Sequence, residues 1–264
     1  MTKKITTILF DCDNTLVLSE TLAFEACADL TNEILALQNV PRRFTGPELQ
    51  GEFVGQSFQD MMKSLAAKYD FENSLSAAEL QRYANMEDDR VIAKLKQKLT
   101  PCDGVNDVLV ELVRAREFHL AVVSGSALRR IRISLKKAGQ SEFFDSENVF
   151  SASCSLVTPV SKPDPAIYVH AVRALGRVPQ ECVAVEDSRS GVLAAHKAGI
   201  LVVGYTGCYK AGSEQEQMGK LFTTGHRDTQ REHIMDIASK TWPLGSTVSS
   251  NRLAPVLPQN VDTK

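Results

Sequence analysis

Four short apolar segments of the chain lack the alternation of apolar and polar residues that marks a half-exposed strand. They are ITTILF at 5–10, HLAVV at 119–123, CVAV at 182–185 and ILVVGY at 200–205. Such runs are typical of strands buried on both faces of a parallel sheet. A further strand is expected around Phe150. The pattern predicts a buried sheet built from widely separated parts of the chain.

Segments with helical spacing lie between these strands. They cover 104–116, 126–138, 164–175 and 189–198, and several of them end at a glycine, as helices commonly do. A strand that alternates with a helix along the chain indicates an α/β fold. We therefore predict a doubly wound parallel sheet with a Rossmann-like core.

Residues 19–98 interrupt this alternation, because they carry helical spacing with no convincing strand. The helical segments are 20–37, 57–69 and 76–99. We predict an α-helical domain inserted at 17–99, between core segments at 1–16 and 100–244. The C-terminal residues 245–264 hold few large apolar side chains and are interpreted as a loosely held extension.

Composition and charge exclude several classes of function. The 264 residues carry a net charge of −2 with acids and bases interspersed, so no basic face is available for nucleic acid. The N-terminal apolar run reaches Asp11 too soon for a signal peptide, and no segment approaches the roughly 18 apolar residues of a membrane span. The six cysteines include no C-x-x-C pair and are expected to be reduced thiols. We expect a cytoplasmic monomer that contacts no membrane.

Polar residues follow the predicted strands at the point where each strand ends. They are Asp11 and Asp13, then Ser124 and Ser126, then Lys162, and finally Glu186, Asp187 and Ser188. Open α/β sheets bind their ligands at this carboxyl edge. Carboxylates crowded there repel one another unless a cation lies among them, and oxygen ligands without histidine or thiolate favour Mg²⁺. Together with a lysine and a hydroxyl, they indicate phosphoryl transfer.

Four motifs carry a family resemblance. They are DCDNT at 11–15, SGS at 124–126, KPDP at 162–165 and EDSRSG at 186–191. In this order they resemble the motifs of the haloacid dehalogenase (HAD) superfamily of aspartate-nucleophile phosphohydrolases. The insert is similar to the helical C1-type cap of the branch that holds β-phosphoglucomutase, CbbY and small sugar-phosphate phosphatases. The resemblance implies a HAD-like fold, a small-molecule phosphate ester as substrate, and Mg²⁺ as cofactor.

The resemblance also implies roles for the acidic residues. Asp11 would be the nucleophile that becomes an aspartyl phosphate, and would also bind the metal. Asp13 would protonate the leaving alcohol and then activate water, while its backbone carbonyl binds the metal. Asp187 would be a metal ligand, and Glu186 a ligand or a neighbour of one.

Substrate-binding residues follow from the same resemblance. Ser124 and Gly125 would bind the phosphoryl oxygens, and Lys162 would balance charge between Asp11 and the phosphate. In the cap, the loop GQSFQD is similar to the mutase loop that meets the rest of the substrate. This implies that Gly55, Gln56 and Phe58 contact the leaving group.

Two further residues lie inside the first motif. Asn14 stands where this branch usually has glycine, and we expect the turn to survive because asparagine tolerates left-handed backbone. Cys12 should point away from the two aspartates and is interpreted as a packing residue.

Two departures from the mutase pattern favour hydrolysis. The mutase has a histidine ten residues after its second aspartate, where this chain has Ala23, and an arginine for a distant phosphate, where this chain has Phe58. A magnesium-dependent phosphatase is therefore the first hypothesis and a phosphomutase the second. A non-catalytic binding or scaffold protein is the third, although such a relative would normally lose Asp11, Asp13 or Asp187.

The apolar residues around the cap loop do not determine which leaving group the protein accepts. Phe53, Val54, Phe58, Met61 and Met62 could contact a hydrophobic alcohol, but their helical spacing favours the core of the cap itself. A sugar or polyol phosphate is the substrate that the resemblance implies.

Overall fold

The chain separates into two compact units. A computed structural model describes residues 4–53, 56–71 and 75–209, and the backbone of 253–256. One unit consists of Met1–Val17 with Pro101–Lys264, and the other of Leu18–Thr100. The second unit differs by one residue at each end from the insert that the sequence predicts.

The first unit is built on a six-stranded sheet with the order β3-β2-β1-β4-β5-β6. Its strands are β1 (Thr7–Phe10), β2 (His119–Ser124), β3 (Val149–Ser151), β4 (Cys182–Glu186), β5 (Leu201–Tyr205) and β6 (Leu253–Val256). Strands β1 to β5 pair in parallel, and β6 pairs antiparallel with β5. The predicted parallel α/β fold is confirmed.

The second unit is helical, and we call it the cap. Its helices are α1 (Glu20–Leu37), α2 (Gly46–Phe53), α3 (Phe58–Lys68) and α4 (Ala77–Lys98). Arg90 of α4 donates to both carboxylate oxygens of Glu33 of α1, at 2.8 and 2.7 Å. Exposed pairs of this kind contribute only about 0–1 kcal/mol. The cap is therefore held mainly by its buried apolar cluster, which includes Leu30, Ile34, Leu49, Met62 and Leu65.

Helix α2 is an element that the apolar pattern did not predict. Its start carries a capping box, because Thr45 N–H donates to Glu48 at 2.8 Å and Glu48 N–H donates to the Thr45 hydroxyl at 3.4 Å. Gly46 lies so close to the backbone of α1 that an added Cβ would be 3.0 Å from Glu25 N. A short helix with one buried face shows little hydrophobic periodicity, so the Thr-x-x-Glu spacing of the capping box is the feature of the sequence that indicates its start.

Helices of the first unit follow the strands in alternation. They are α5 (Val105–Ala115), α6 (Leu128–Lys137), α7 (Ala166–Ala174) and α8 (Arg189–Lys197). Side chains of α7 and α8 pack with alternate strand residues such as Leu9 and Ala184. The residues between, such as Ile8 and Phe10, are buried as well, since successive strand side chains point to opposite faces. Burial on both faces explains the continuous apolar runs.

The strand register brings three strand ends to one place. Phe10, the last residue of β1, pairs with Val122 of β2 and Val185 of β4. Asp11 extends the pairing of β1 with β4 by one residue, because its backbone N–H donates to Val185 O at 2.9 Å. Polar residues just beyond these paired positions therefore emerge at the same carboxyl edge.

The interpretation of the C-terminal tail as a loose extension is wrong for residues 253–256, which form β6 along the edge of β5. The run Leu-Ala-Pro-Val is short, and Pro255 lacks the N–H that a central strand would need, so an edge position suits it. Within the described part of the chain, no helix is both long enough and apolar enough to span a membrane.

Candidate active site at the carboxyl edge of the sheet

Asp11 lies in a buried turn at the end of β1. The turn is closed by the N–H groups of Leu16 and Val17, which both donate to Cys12 O, at 2.9 and 3.1 Å. Asn14 has a φ of 57°, which confirms the expected left-handed conformation. Cys12 is buried, in agreement with its predicted packing role. The local fold thus places a carboxylate at the edge of the core rather than in open solvent.

Lys162 connects two of the acidic residues. Its Nζ lies 2.6 Å from Asp11 Oδ1 and 2.6 Å from Glu186 Oε1, and donates to Val123 O at 3.0 Å. These contacts use all three donors of the ammonium group. Burial opposes the charge of Lys162, but Asp11 and Glu186 outweigh it and hold the pKa of Lys162 well above its usual value. The lysine is a fixed positive charge beside Asp11.

The carboxylates around Lys162 form a cluster that suits a divalent cation. Asp11, Glu186 and Asp187 are all buried, and each offers an oxygen within 4.8 Å of the others. Burial raises the pKa of Asp11 to about 8, against the lowering effect of Lys162, and Glu186 and Asp13 raise it further. The single positive charge of Lys162 therefore does not balance the negative charge of the three carboxylates. A cation among these oxygens would favour the ionised carboxylates, and an all-oxygen donor set fits Mg²⁺.

Asp13 is half-buried and bound by serines from the end of β2. Ser126 Oγ donates to Asp13 Oδ2 at 2.7 Å, and Ser124 Oγ donates to the same oxygen at 3.3 Å. Ser124 Oγ in turn accepts the Ser126 backbone N–H at 3.0 Å. The side chain of Asp13 is therefore oriented by hydroxyl groups, whereas that of Asp11 is oriented by an ammonium group. Gly125 is exposed between the two serines.

Asp187 is held by two other parts of the chain. Thr15 Oγ1, from the turn after β1, donates to Asp187 Oδ1 at 3.4 Å. The hydroxyl of Tyr209, beyond β5, donates to Asp187 O at 3.1 Å. Ser188 begins α8 by accepting the Gly191 N–H at 3.1 Å, so it caps the helix as the sequence suggested.

A family model described as haloacid dehalogenase-like hydrolase matches residues 5–199. The chain belongs to the haloacid dehalogenase-like hydrolases. The phosphorylated carbohydrates phosphatase of Thermotoga maritima is 30% identical over 196 residues, which cover 73% of this chain and 81% of that relative. Protein CbbY of Rhodobacter capsulatus is 30% identical over 129 residues, 49% of this chain and 52% of CbbY.

Among solved structures, a haloacid dehalogenase-like protein from Agrobacterium tumefaciens matches this hydrolase with a TM-score of 0.59 and 28% identity, over 77% of this chain and 83% of that one. The predicted superfamily and its CbbY-like branch are confirmed. The chain is therefore a hydrolase whose relatives include proteins named as phosphatases.

Two contacts of this hydrolase were missed from the sequence. Tyr168, in the first turn of α7, donates its hydroxyl hydrogen to Glu186 Oε1 at 2.6 Å. At Gly191, in the first turn of α8, an added Cβ would collide with the Glu186 carboxylate. Tyr168 looks like an ordinary core residue at helical spacing. Gly191 is part of the fourth motif, but the motif alone does not predict that the Glu186 carboxylate occupies the position of a Cβ at residue 191.

The predicted substrate contacts in the cap remain predictions. Gly55 lies outside the described residues. Gln56 Oε1 accepts a hydrogen bond from Ser64 Oγ at 3.2 Å, and Phe58 is half-buried against the cap cluster.

The packing interpretation of the other apolar residues near this loop is confirmed for three of them. Phe53, Met61 and Met62 are buried in the cap cluster, while Val54 lies outside the described residues. The side chains of these three residues are therefore used by the core of the cap, and they offer no indication of a hydrophobic leaving group.

Replacing Gly191 with alanine is expected to lower the free energy of unfolding by about 1–3 kcal/mol, the usual cost of overpacking. The new methyl group would occupy the space of the Glu186 carboxylate, which Lys162 and Tyr168 prevent from moving freely. Urea denaturation followed by circular dichroism measures the change. Gly51→Ala is the matched control, because its Cβ would meet no atom within 4 Å and a helical Gly→Ala change should be neutral or stabilising. Equal stability of Gly191→Ala and wild type would contradict the steric argument.

Proposed function

We propose that this hydrolase is a magnesium-dependent phosphatase that cleaves a small-molecule phosphate monoester through an aspartyl phosphate on Asp11. The observation that carries the proposal is the position of Lys162, 2.6 Å from Asp11 and 2.6 Å from Glu186. A phosphoryl group that approaches Asp11 would bring further negative charge into a buried site. A fixed ammonium beside the attacking carboxylate reduces that electrostatic cost.

In the first step, the Asp11 carboxylate attacks phosphorus and the bond to the ester oxygen breaks. Asp13 gives a proton to the departing alcohol, so the alcohol leaves neutral. In the second step, Asp13 takes a proton from water, which attacks the aspartyl phosphate and releases inorganic phosphate. Ser124 and Gly125 would bind the phosphoryl oxygens during both steps, and the charge of Lys162 would balance that of Asp11 and the phosphate. The 2.7 Å hydrogen bond from Ser126 Oγ supports this role for Asp13, because it fixes the position of the carboxylate and leaves the Ser124 hydroxyl available for the phosphoryl group.

Asp11, Glu186 and Asp187, with the backbone carbonyl of Asp13, would hold the magnesium ion. When bound, the ion supplies positive charge that neutralises the phosphoryl oxygens and the crowded carboxylates. Their oxygens within 4.8 Å of one another, and the raised pKa of Asp11 without a cation, support this assignment.

We further propose a phosphorylated sugar or polyol as the substrate. The name of the Thermotoga maritima relative, a phosphorylated carbohydrates phosphatase, supports this class. Ala23 and Phe58, where the mutase pattern has a histidine and an arginine, support transfer to water rather than to a second hydroxyl of the sugar.

The purified chain should release inorganic phosphate from a generic aryl phosphate in the presence of Mg²⁺. EDTA should lower the rate at least about tenfold, and added Mg²⁺ should restore it, because a metal ion contributes several kcal/mol of charge stabilisation. A panel of sugar, polyol and hydrophobic alcohol phosphates then ranks the substrates by kcat/KM. A sugar phosphate isomer formed only with a bisphosphate activator would instead identify a mutase. Absence of turnover on the whole panel would support a binding protein.

A further inference from the structure

Glu186 is the most enclosed of the acidic residues at the site. Its side chain is completely buried at the end of β4. Its Oε1 atom accepts hydrogen bonds from Lys162 Nζ at 2.6 Å and from the Tyr168 hydroxyl at 2.6 Å. Its carboxylate also lies against Gly191, where no side chain could be accommodated. The orientation of this carboxylate is thus set by the loop before α7, by α7 and by α8.

Tyr168 contacts Glu186 but has no role in the two steps of the proposed phosphatase reaction. It is fully buried in α7 and packs in the apolar cluster that contains Leu9, Ala184 and Val192. The Lys162 ammonium lies 5.1 Å from the centre of the tyrosine ring, a distance at which a cation–π attraction acts. Burial, followed by the neighbouring Glu186, raises the pKa of Tyr168 well above its usual value. The hydroxyl is the donor of its hydrogen bond because its partner at 2.6 Å, Glu186 Oε1, is an acceptor.

A tyrosine used only to fill the core would not need this hydroxyl. Phenylalanine has the same ring and would leave no buried hydroxyl to satisfy. The hydroxyl is aimed at the oxygen that Lys162 also contacts, which links it to both the ammonium and the carboxylate cluster. Groups that hydrogen-bond to a metal-ligating carboxylate orient it, and their loss typically lowers metal affinity or activity by about 10–100-fold.

We propose that Tyr168 is a positioning residue: its hydroxyl, together with Lys162, fixes the Glu186 carboxylate in the orientation in which Asp11, Glu186 and Asp187 jointly bind a divalent cation. The proposal rests on the proposed function, because it concerns the same metal site. Tyr168 acts through Glu186 and touches neither the substrate nor the reacting atoms.

Tyr168→Phe tests this role, because it removes the hydroxyl and keeps the ring. Isothermal titration calorimetry with MgCl₂, without substrate, should show the Kd for Mg²⁺ raised about tenfold. The Mg²⁺ concentration for half-maximal phosphate release should rise by a similar factor. Tyr83→Phe is the control, because Tyr83 is a buried tyrosine of the cap, and both quantities should stay within twofold of wild type.

A double variant separates positioning from folding. In a Glu186→Met background the carboxylate is already absent, so Tyr168→Phe should change the remaining Mg²⁺ affinity by less than twofold. A Tyr168→Phe protein with wild-type Kd for Mg²⁺ would overturn the proposal, even if its thermal stability were lower. An equal effect of Tyr168→Phe in both backgrounds would overturn it too. Failure of the proposed function can be distinguished from failure of this proposal, because the wild-type protein would then release no phosphate.

Discussion

Replacing Asp11 with asparagine is expected to abolish phosphate release, with kcat lowered by on the order of 10³-fold or more, as is typical when a nucleophile is removed. The amide cannot form the aspartyl phosphate. It does keep the size of the side chain and an oxygen that can accept the hydrogen bond from Lys162, which lies 2.6 Å from Asp11 Oδ1. The rate of phosphate release from an aryl phosphate at saturating Mg²⁺ measures the effect.

Asp107→Asn makes the same chemical change at an exposed position in the first turn of α5. Its kcat should equal that of the wild type. Circular dichroism should show that both variants are folded. If Asp11→Asn kept more than a few per cent of the wild-type rate, another residue would have to be the nucleophile and the proposed reaction would be wrong.

The edge of the sheet that carries the candidate site could be predicted because its signal is local. Most of the candidate residues lie at or just after the end of a buried strand, Lys162 lies in the loop between β3 and α7, and parallel strands deliver their ends to one edge whatever their order in the sheet. Asp11 and Lys162 are 151 residues apart in sequence yet in contact, and both could be assigned from the residues beside them. Glu186 and Asp187, at the end of β4, could be predicted in the same way.

Contacts that depend on packing between elements could not be predicted in this way. Tyr168 reaches Glu186 across 18 residues, from the core face of α7, and nothing in its own neighbourhood distinguishes it from a packing residue. The sequence places Ser126 just after the end of its strand, but the hydrogen bond from Ser126 to Asp13 depends on the distance between β1 and β2. Strand β6 was missed because its partner β5 supplies the pairing that its own short sequence does not indicate.

Replacing Lys162 with methionine is expected to impair both stability and activity. Methionine fills a similar volume, so the packing loss is small. The buried carboxylates of Asp11 and Glu186 would lose their shared ammonium, and removing one partner of a buried ion pair typically costs about 3–5 kcal/mol of unfolding free energy. Loss of a group that stabilises the transferring phosphoryl oxygens should also lower kcat by about 10²–10³-fold. Urea denaturation and the rate of phosphate release measure the two effects.

Two further variants separate the electrostatic cause from a general effect of losing a lysine. Lys4→Met removes one member of an exposed pair, 3.6 Å from Glu117, with both side chains more than half exposed, and should change stability by less than about 1 kcal/mol. Adding Asp11→Asn to Lys162→Met removes one of the two carboxylates that have lost their ammonium partner, so the double variant should be more stable than Lys162→Met alone, although it should be no more active. A double variant that is less stable than Lys162→Met would show that the lysine stabilises the core through packing rather than through its charge.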